Sequence, residues 1–399
     1  MKLLNTEIKN KVLKSMISIL DEDRNKIVEA NTKDRDLFEK GDQALYDRLV
    51  VTDKKIDGMI ASVKEVMGQE DPVGKLKSDR TLENGLEIKN KTAPFGTIMI
   101  IYESRPDVTI EAAVLAFKAN NKILLKGGKE AYHSNKILEA CWHRALKENG
   151  LDTDWIRLLI MDRTETQEFL KNPPEKLDLI VPRGGERLIA FVKEHAQCAV
   201  LVSGRGNNFL YVDKNADWKK SLEVILNAKT HKISACNALD KILIDSAIPD
   251  YPEKLKELDA FLTKNGVSIL LDEQTGAVLK NRSIITDESV WKEEFLAMKC
   301  CIGTVDGLED AIEKINTYSG GHSTTIMTSD KDAAVKFMEQ VDSAAVYHNA
   351  STRFTDGGAM GVGAELAIST DKLHHRGPLG LEQLVTNKYY VYGDGQVRV

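Results

Sequence analysis

The sequence predicts an α/β fold with two parallel sheets covered by helices and a small extension of exposed strands. Three observations predict it. From Leu86 onward, short apolar, β-branched runs alternate with longer amphipathic stretches, which is the rhythm of β-α-β units. A second series of the same kind follows Cys236. Two further stretches, Arg80 to Ala93 and Thr386 to Val399, read as strands outside both sheets. The chain has 399 residues, more than one core ordinarily supports, so two large domains are expected.

Residues 3 to about 40 and 53 to 68 carry apolar positions at helical spacing, with Asp53 in a capping position after Thr52. Strands are expected at Thr97–Ile101, Lys122–Leu125, Arg157–Ile160, Leu177–Val181 and Ala199–Val202. The second series is expected at Lys241–Ile244, Val267–Leu270, Cys301–Val305, Ser323–Met327 and Ala344–Tyr347. This rhythm divides the chain into residues 1–230, 231–380 and a strand extension, 381–399. The segment 76–94 forms a hairpin turning at Glu83-Asn84-Gly85. Exposed edges of this kind recruit another strand, and both a subunit contact and an intramolecular hairpin fit.

Hydrophobic residues make up 42% and charged residues 29%, the usage of an ordinary globular protein. The net charge of −6 comes with no basic block, which argues against a nucleic-acid partner. The N-terminus is charged throughout and lacks an apolar signal core, and runs such as Ile98 to Tyr102 are too short to cross a bilayer. A cytoplasmic location without membrane attachment is the expectation. Five cysteines, none in CxxC spacing, indicate neither a disulfide framework nor a zinc ribbon. His374-His375 has no third ligand at helical spacing, so no metal site is expected.

Neither a G-x-G-x-x-G nor a Walker loop occurs. The candidate for cofactor binding is Leu124-Leu125-Lys126-Gly127-Gly128-Lys129-Glu130, where a buried strand ends in two lysines around two glycines. Ligands bind at the carboxyl ends of parallel strands. Lysines there suit a ribose phosphate and the glutamate a ribose hydroxyl; a solvated strand-to-helix turn reads equally well. Pro182-Arg183-Gly184-Gly185-Glu186 also places two glycines between strand and helix, where backbone can approach a pyrophosphate at a helix N-terminus.

The stretch 227–240, NAKTHKISACNALD, places Cys236-Asn237 between a helical pattern and a strand. A thiol at such a junction can meet substrate, with His231 or Lys232 favouring its thiolate and backbone amides receiving an oxyanion. Cys300-Cys301 opens an apolar run that reads as a core strand, where burial makes a thiol inert. Residues 349–365, NASTRFTDGGAMGVGAE, form a long polar loop. Its donors Asn349, Ser351 and Thr352 and its Arg353 suit a carboxylate or phosphate, and a surface loop is the alternative reading.

Ile101-Tyr102-Glu103-Ser104-Arg105-Pro106-Asp107-Val108-Thr109, LLKGGKEAYHSN, VPRGG, Cys236-Asn237-Ala238, NASTRFTDGG and KLHHRGPLGLEQL stand in one order along the chain. Together they strongly resemble the γ-glutamyl phosphate reductase (glutamate-5-semialdehyde dehydrogenase) family of the aldehyde dehydrogenase superfamily, from about residue 10 to the end. The resemblance implies an aldehyde-dehydrogenase-like fold with two Rossmann-like domains and an oligomerisation extension. It implies NADPH-dependent reduction of L-glutamyl 5-phosphate in proline biosynthesis, a homo-oligomer, and functional coupling to glutamate 5-kinase. By position it makes Cys236 the nucleophile and sets Lys126 and Lys129 at the adenosine ribose and Glu294 at the nicotinamide ribose. Ser104 falls near the oxyanion-hole position of the superfamily, where asparagine is usual. Arg105 and Arg353 become the clamps for the acyl phosphate or the α-carboxylate. Two stretches depart from the family: His231-Lys232-Ile233 stands where Gln-Arg-Pro is common, and Gly206-Asn207-Asn208-Phe209 where Gly-Asn-Cys-His is common.

Overall fold

The structure is a computed structural model and describes residues 2–38, 43–280 and 282–398. The end of the predicted 3–40 helical stretch, residues 39 and 40, and Val399 lie outside the described residues. The chain forms two compact units. The first runs to Val202 and takes in Val362–Ala367 and the segment from Leu379; the second comprises Ser203–Gly361 and Ile368–Pro378.

The first unit opens with helices Thr6–Glu22, Arg24–Asp36, Gln43–Leu49 and Asp53–Gly68. Asn5 starts the first by accepting the Ile8 N–H at 2.9 Å, a side-chain N-cap. Val12, Leu13, Met16, Ile19 and Leu20 then recur on its buried face. Thr52, rather than Asp53, caps the fourth helix, since its hydroxyl accepts the Lys55 N–H. The buried Asp34 accepts the N–H groups of His133 and Ser134 at 2.9 and 2.7 Å and so caps the helix Tyr132–Glu148 from a different element.

The strands of this unit are β1 (Leu76–Thr81), β2 (Glu87–Pro94), β3 (Thr97–Tyr102), β4 (Lys122–Lys126), β5 (Ile156–Leu158), β6 (Leu179–Arg183) and β7 (Ala199–Val200). A parallel sheet in the order β5-β4-β3-β6-β7 follows. Its first strand in the chain, β3, lies in the middle, and winding proceeds outward in both directions. The carboxyl ends of β3 and β6 therefore meet where the winding reverses, the usual ligand crevice of an open α/β sheet. The connecting helix Val108–Lys118 is buried at every position except Glu111. Beneath it Phe117 meets Trp142 and Trp155 with ring centroids 6.1 and 5.7 Å apart.

The second unit holds β8 (Asn208–Val212), β9 (Leu239–Asp245), β10 (Ser268–Leu271), β11 (Ser283–Ile284), β12 (Lys299–Val305), β13 (Ser323–Met327) and β14 (Ala345–His348). They make a parallel sheet in the order β11-β10-β12-β9-β8-β13-β14. The sequence predicts no strand at 208–212. Because β8 pairs with both β9 and β13 in the interior of this sheet, the division falls after Val202, ahead of the position near 230 that the rhythm suggests. Its five residues are all buried, and full burial on both faces erases the alternation that marks a strand in sequence.

The chain then forms β15 (Glu365–Ser369) and β16 (Gly377–Gly380), which pair with each other, and ends in β17 (Val385–Tyr392). β17 lies antiparallel to β2, from Val385 opposite Pro94 to Tyr392 opposite Glu87, and β1 pairs with the other edge of β2. The two exposed stretches of the sequence thus find each other within the first unit. Gly85, at φ +86°, closes the β1–β2 turn with its N–H on Leu82 C=O.

Candidate active site

Cys236 follows the helix Trp218–Thr230 and precedes β9. Two turn bonds shape its loop, Ala235 N–H to Lys232 C=O at 3.2 Å and Ala238 N–H to Ala235 C=O at 2.9 Å. Of the other thiols, Cys141, Cys300 and Cys301 are buried and pushed up to about 12 by that burial. Burial also raises Cys198. Thiols shifted in this direction are poor nucleophiles at neutral pH.

A neighbouring loop grips the nucleophile turn. A register irregularity at Asn208 frees its side chain from the pleat. The Asn208 amide donates to the carbonyls of Gly206, Cys236 and Ala238 at 2.8, 2.8 and 2.6 Å. Its oxygen accepts the Ser323 N–H at 3.0 Å. Only glycine fits at 206, where a Cβ would stand 2.0 Å from the Cys236 carbonyl oxygen. The departure at Gly206-Asn207-Asn208-Phe209 is therefore a scaffold for the thiol. The sequence gives no hint of this, because the partners lie far apart along the chain.

Glu294 sits against the same loop. Burial, with the Asp240 carboxylate adding to it, lifts Glu294 to about 7, while the Gly206 N–H, Arg205 and Lys241 oppose the shift. The segment carrying Glu294 is fixed from β9. Buried Lys241 donates to Glu293 C=O at 2.8 Å and lies 3.9 Å from the centre of the Phe295 ring, and Asp240 accepts the Phe295 N–H at 3.1 Å. Asp240 also pairs with Lys229 at 2.8 Å, both side chains nearly inaccessible.

The 349–365 loop meets the nucleophile turn through its backbone. Asn237 donates its amide to the carbonyls of Arg353 and Thr355 at 3.2 and 2.9 Å, and Thr352 Oγ1 donates to Asn237 C=O at 2.7 Å. Asn237 and Thr352 thus hold two loops together. Ser351 caps the short turn Thr352–Phe354 by accepting the Arg353 N–H. Asn349, at φ +55°, gives its amide to Thr328 C=O and accepts the Thr328 N–H. The expectation that Asn349 and Thr352 serve as substrate donors is corrected to loop closure, since a compact loop must satisfy its own polar groups, whereas Ser351 uses only its oxygen there. Arg353 differs: its Nη1 is buried without a hydrogen-bond partner. Burial lowers its guanidinium from the ordinary value, with Cys236 and Asp356 opposing.

In the first unit, the ends of β3, β4 and β6 bring the remaining candidates together. Ser104 is fully buried and donates its hydroxyl to Glu130 at 2.8 Å. That bond replaces the oxyanion role expected for Ser104, because its one hydrogen is already engaged. Lys126 is half-buried at the end of β4, and burial lowers its ammonium against the pull of Glu130 and Asp162. Lys129 is exposed. A Cβ at Gly127 would stand 2.2 Å from the Asn135 amide, and one at Gly128 would collide with Glu130. Arg105 lies 3.6 Å from Asp107. Arg183 ends β6, and Gly185 starts the helix Glu186–His195 with no side-chain cap. Nothing lies within 4 Å of a Cβ placed at Gly185, whereas one at Gly184 would meet Leu188 and Glu103. The Gly185 N–H donates to the Glu103 carboxylate at 3.3 Å, so an anion at this exposed helix start would take the place that Glu103 holds.

A family model described as the aldehyde dehydrogenase family matches residues 277–365. Gamma-glutamyl phosphate reductase of Aquifex aeolicus is 41% identical over 99% of this chain and 92% of its own length. The crystal structure of gamma-glutamyl phosphate reductase from Thermotoga maritima superposes with a TM-score of 0.95 at 42% identity, covering 99% of this chain and 95% of that one. An acetylating aldehyde dehydrogenase from Geobacillus thermoglucosidasius, 17% identical with a TM-score of 0.69 over 99% of this chain and 94% of that one, shares the fold. The chain belongs to the gamma-glutamyl phosphate reductase family.

Proposed function

We propose that this protein reduces L-glutamyl 5-phosphate to L-glutamate 5-semialdehyde with NADPH, the second step of proline biosynthesis, through a thioester on Cys236. The observation that carries this reading is the grip of Asn208, Gly206 and Asn237 on the loop of Cys236, a thiol that is only partly buried. The Cys236 thiolate attacks the acyl carbon; the S–C bond forms, the C–O bond to phosphate breaks, and phosphate departs with the electron pair. The Cys236 main-chain N–H and neighbouring amides receive the developing oxyanion. NADPH, when bound, supplies the hydride that reduces the thioester carbon. Collapse of the thiohemiacetal then returns the thiol and releases the semialdehyde.

For the cofactor we assign Lys126 and Lys129 to the adenosine ribose and its phosphate, Glu130 to a ribose hydroxyl, and Arg183, Gly184 and Gly185 to the pyrophosphate. Glu294 holds the nicotinamide ribose, and its carboxylate faces the loop behind Cys236 through the Gly206 N–H. Arg105 is assigned to the anionic groups of the substrate. Residues up to 202 then form the cofactor domain and 203–361 the catalytic domain, and the β1-β2-β17 sheet provides the contact of a homo-oligomer. The reading places the reaction in the cytoplasm, coupled to glutamate 5-kinase, because an acyl phosphate hydrolyses readily and is best consumed near its source.

Purified protein given glutamate 5-semialdehyde, NADP and phosphate tests this by running the reaction in reverse. NADPH formation that requires phosphate is the expected result. Turnover indifferent to phosphate would replace the reading with a hydrolytic or CoA-linked one.

A further inference from the structure

Resting on the reaction proposed above, the geometry points to Arg353, oriented by His231, as the subsite for the phosphoryl group at the reacting end of the substrate. Three hydrogen bonds pin the Arg353 turn to Asn237: the Asn237 amide to Arg353 C=O (3.2 Å) and Thr355 C=O (2.9 Å), and Thr352 Oγ1 to Asn237 C=O (2.7 Å). The residue before Asn237 is the nucleophile, so the Arg353 turn is pinned to the nucleophile's own loop, and Cys236 acts on the guanidinium through space.

The side chain is oriented as well. Arg353 Nε donates to His231 Nδ1 at 3.3 Å. Since Nδ1 accepts this bond, His231 fixes the orientation of the guanidinium from its Nε edge and leaves the Nη1 edge for another partner. Arg353 Nη1, meanwhile, is buried with no partner. A buried donor left unpaired is costly, and its retention beside a nucleophile marks a place prepared for an acceptor. Asp356 acts on the guanidinium through space while its own Oδ1 accepts the Ala359 N–H.

The substrate offers two anions, the phosphoryl group and the α-carboxylate. The phosphoryl group is joined to the attacked carbon through one oxygen, whereas the α-carboxylate lies at the far end of the chain. A cation fixed beside the nucleophile therefore meets the phosphoryl group. As the C–O bond breaks, the electron pair moves onto that group, and the Arg353 guanidinium receives the added charge. In reverse, the same guanidinium holds inorganic phosphate for attack on the thioester.

A carboxamide at position 231 supplies an oxygen that accepts the Arg353 Nε–H in the same way. His231→Gln is thus the conservative variant and His231→Leu the disruptive one.

The reverse reaction is assayed with varied phosphate, semialdehyde and NADP for wild type, His231→Leu, His231→Gln and Arg353→Gln, with thermal unfolding of each variant. Loss of the hydrogen bond that holds the charged Arg353 in place predicts a rise in KM for phosphate of about tenfold in His231→Leu. KM for semialdehyde and NADP should stay within about twofold, on the physical ground that neither touches the imidazole. His231→Gln should restore the wild-type KM, and Arg353→Gln should raise it further. A rise confined to KM for semialdehyde would overturn the assignment in favour of the α-carboxylate. Phosphate-dependent turnover with KM for phosphate unchanged in His231→Leu would overturn the subsite alone, and phosphate-independent turnover in wild type would overturn the reaction and the subsite together.

Discussion

Replacing Asn208 by alanine removes the clasp on the nucleophile turn and has a calculable cost. Four backbone groups lose their side-chain partner: the carbonyls of Gly206, Cys236 and Ala238, and the N–H of Ser323. Asn208 is fully buried, and each buried polar group left unpaired costs on the order of 1–3 kcal/mol. Water entering the vacated volume relieves part of this, so about 3–5 kcal/mol is expected overall. In a domain of this size that corresponds to a fall in Tm of about 6–20 °C. Differential scanning calorimetry measures the fall, and the alkylation rate of Cys236 below the transition reports whether the turn has loosened. A Tm within about 2 °C of wild type, with unchanged alkylation, would refute the reasoning that Asn208 organises the turn.

Glu294, raised to about 7 by burial, binds its proton more tightly when folded, so its favourable contribution is complete below the ordinary carboxyl range and is lost as pH rises through about 7. Glu294→Gln should therefore stabilise the protein at pH 8 by up to about 3 kcal/mol, fading towards pH 5, while weakening NADP binding; equal stabilisation at both pH values in urea unfolding would contradict this. Asp240→Ala leaves buried Lys229 without its carboxylate and Phe295 N–H without its acceptor. It should cost about 3–5 kcal/mol, and denaturant titration showing under 1 kcal/mol would count against it. Iodoacetamide at pH 7.5 should label Cys236 in the native protein well before Cys141, Cys300 and Cys301, all pushed up to about 12; peptide mass mapping with any of these three modified first would oppose the assignment.

Several elements were legible in the sequence because their signal is local. Thr97–Tyr102, Lys122–Lys126 and Ser323–Met327 combine β-branched runs with flanking turns, and Cys236-Asn237 stands between a helix and a strand. Asn208–Val212 escaped because it is buried on both faces, and the domain division moved with it. The donors of 349–365 were legible as residue types but not in their use. Asn349 and Thr352 look free in sequence and are engaged by backbone from Thr328, just after β13, and from the nucleophile turn. The pairing of Ser104 with Glu130 and of Arg353 with His231 joins residues 26 and 122 positions apart, a relation that no local pattern encodes. The two exposed stretches were visible as strands, and only the fold could say that they pair with each other.

The central claim is that Cys236 carries the acyl group. With phosphate withheld, semialdehyde and NADP should load the enzyme to the thioester and halt there, and an acid quench would keep the α-amine protonated and prevent its cyclisation onto the acyl carbon. Mass spectrometry of the digested protein should then find a glutamyl adduct on the peptide containing Cys236, in proportion to the NADPH formed, and none in Cys236→Ala. NADPH formed in amounts that exceed one per chain without phosphate, or an adduct on any other cysteine, would contradict the account.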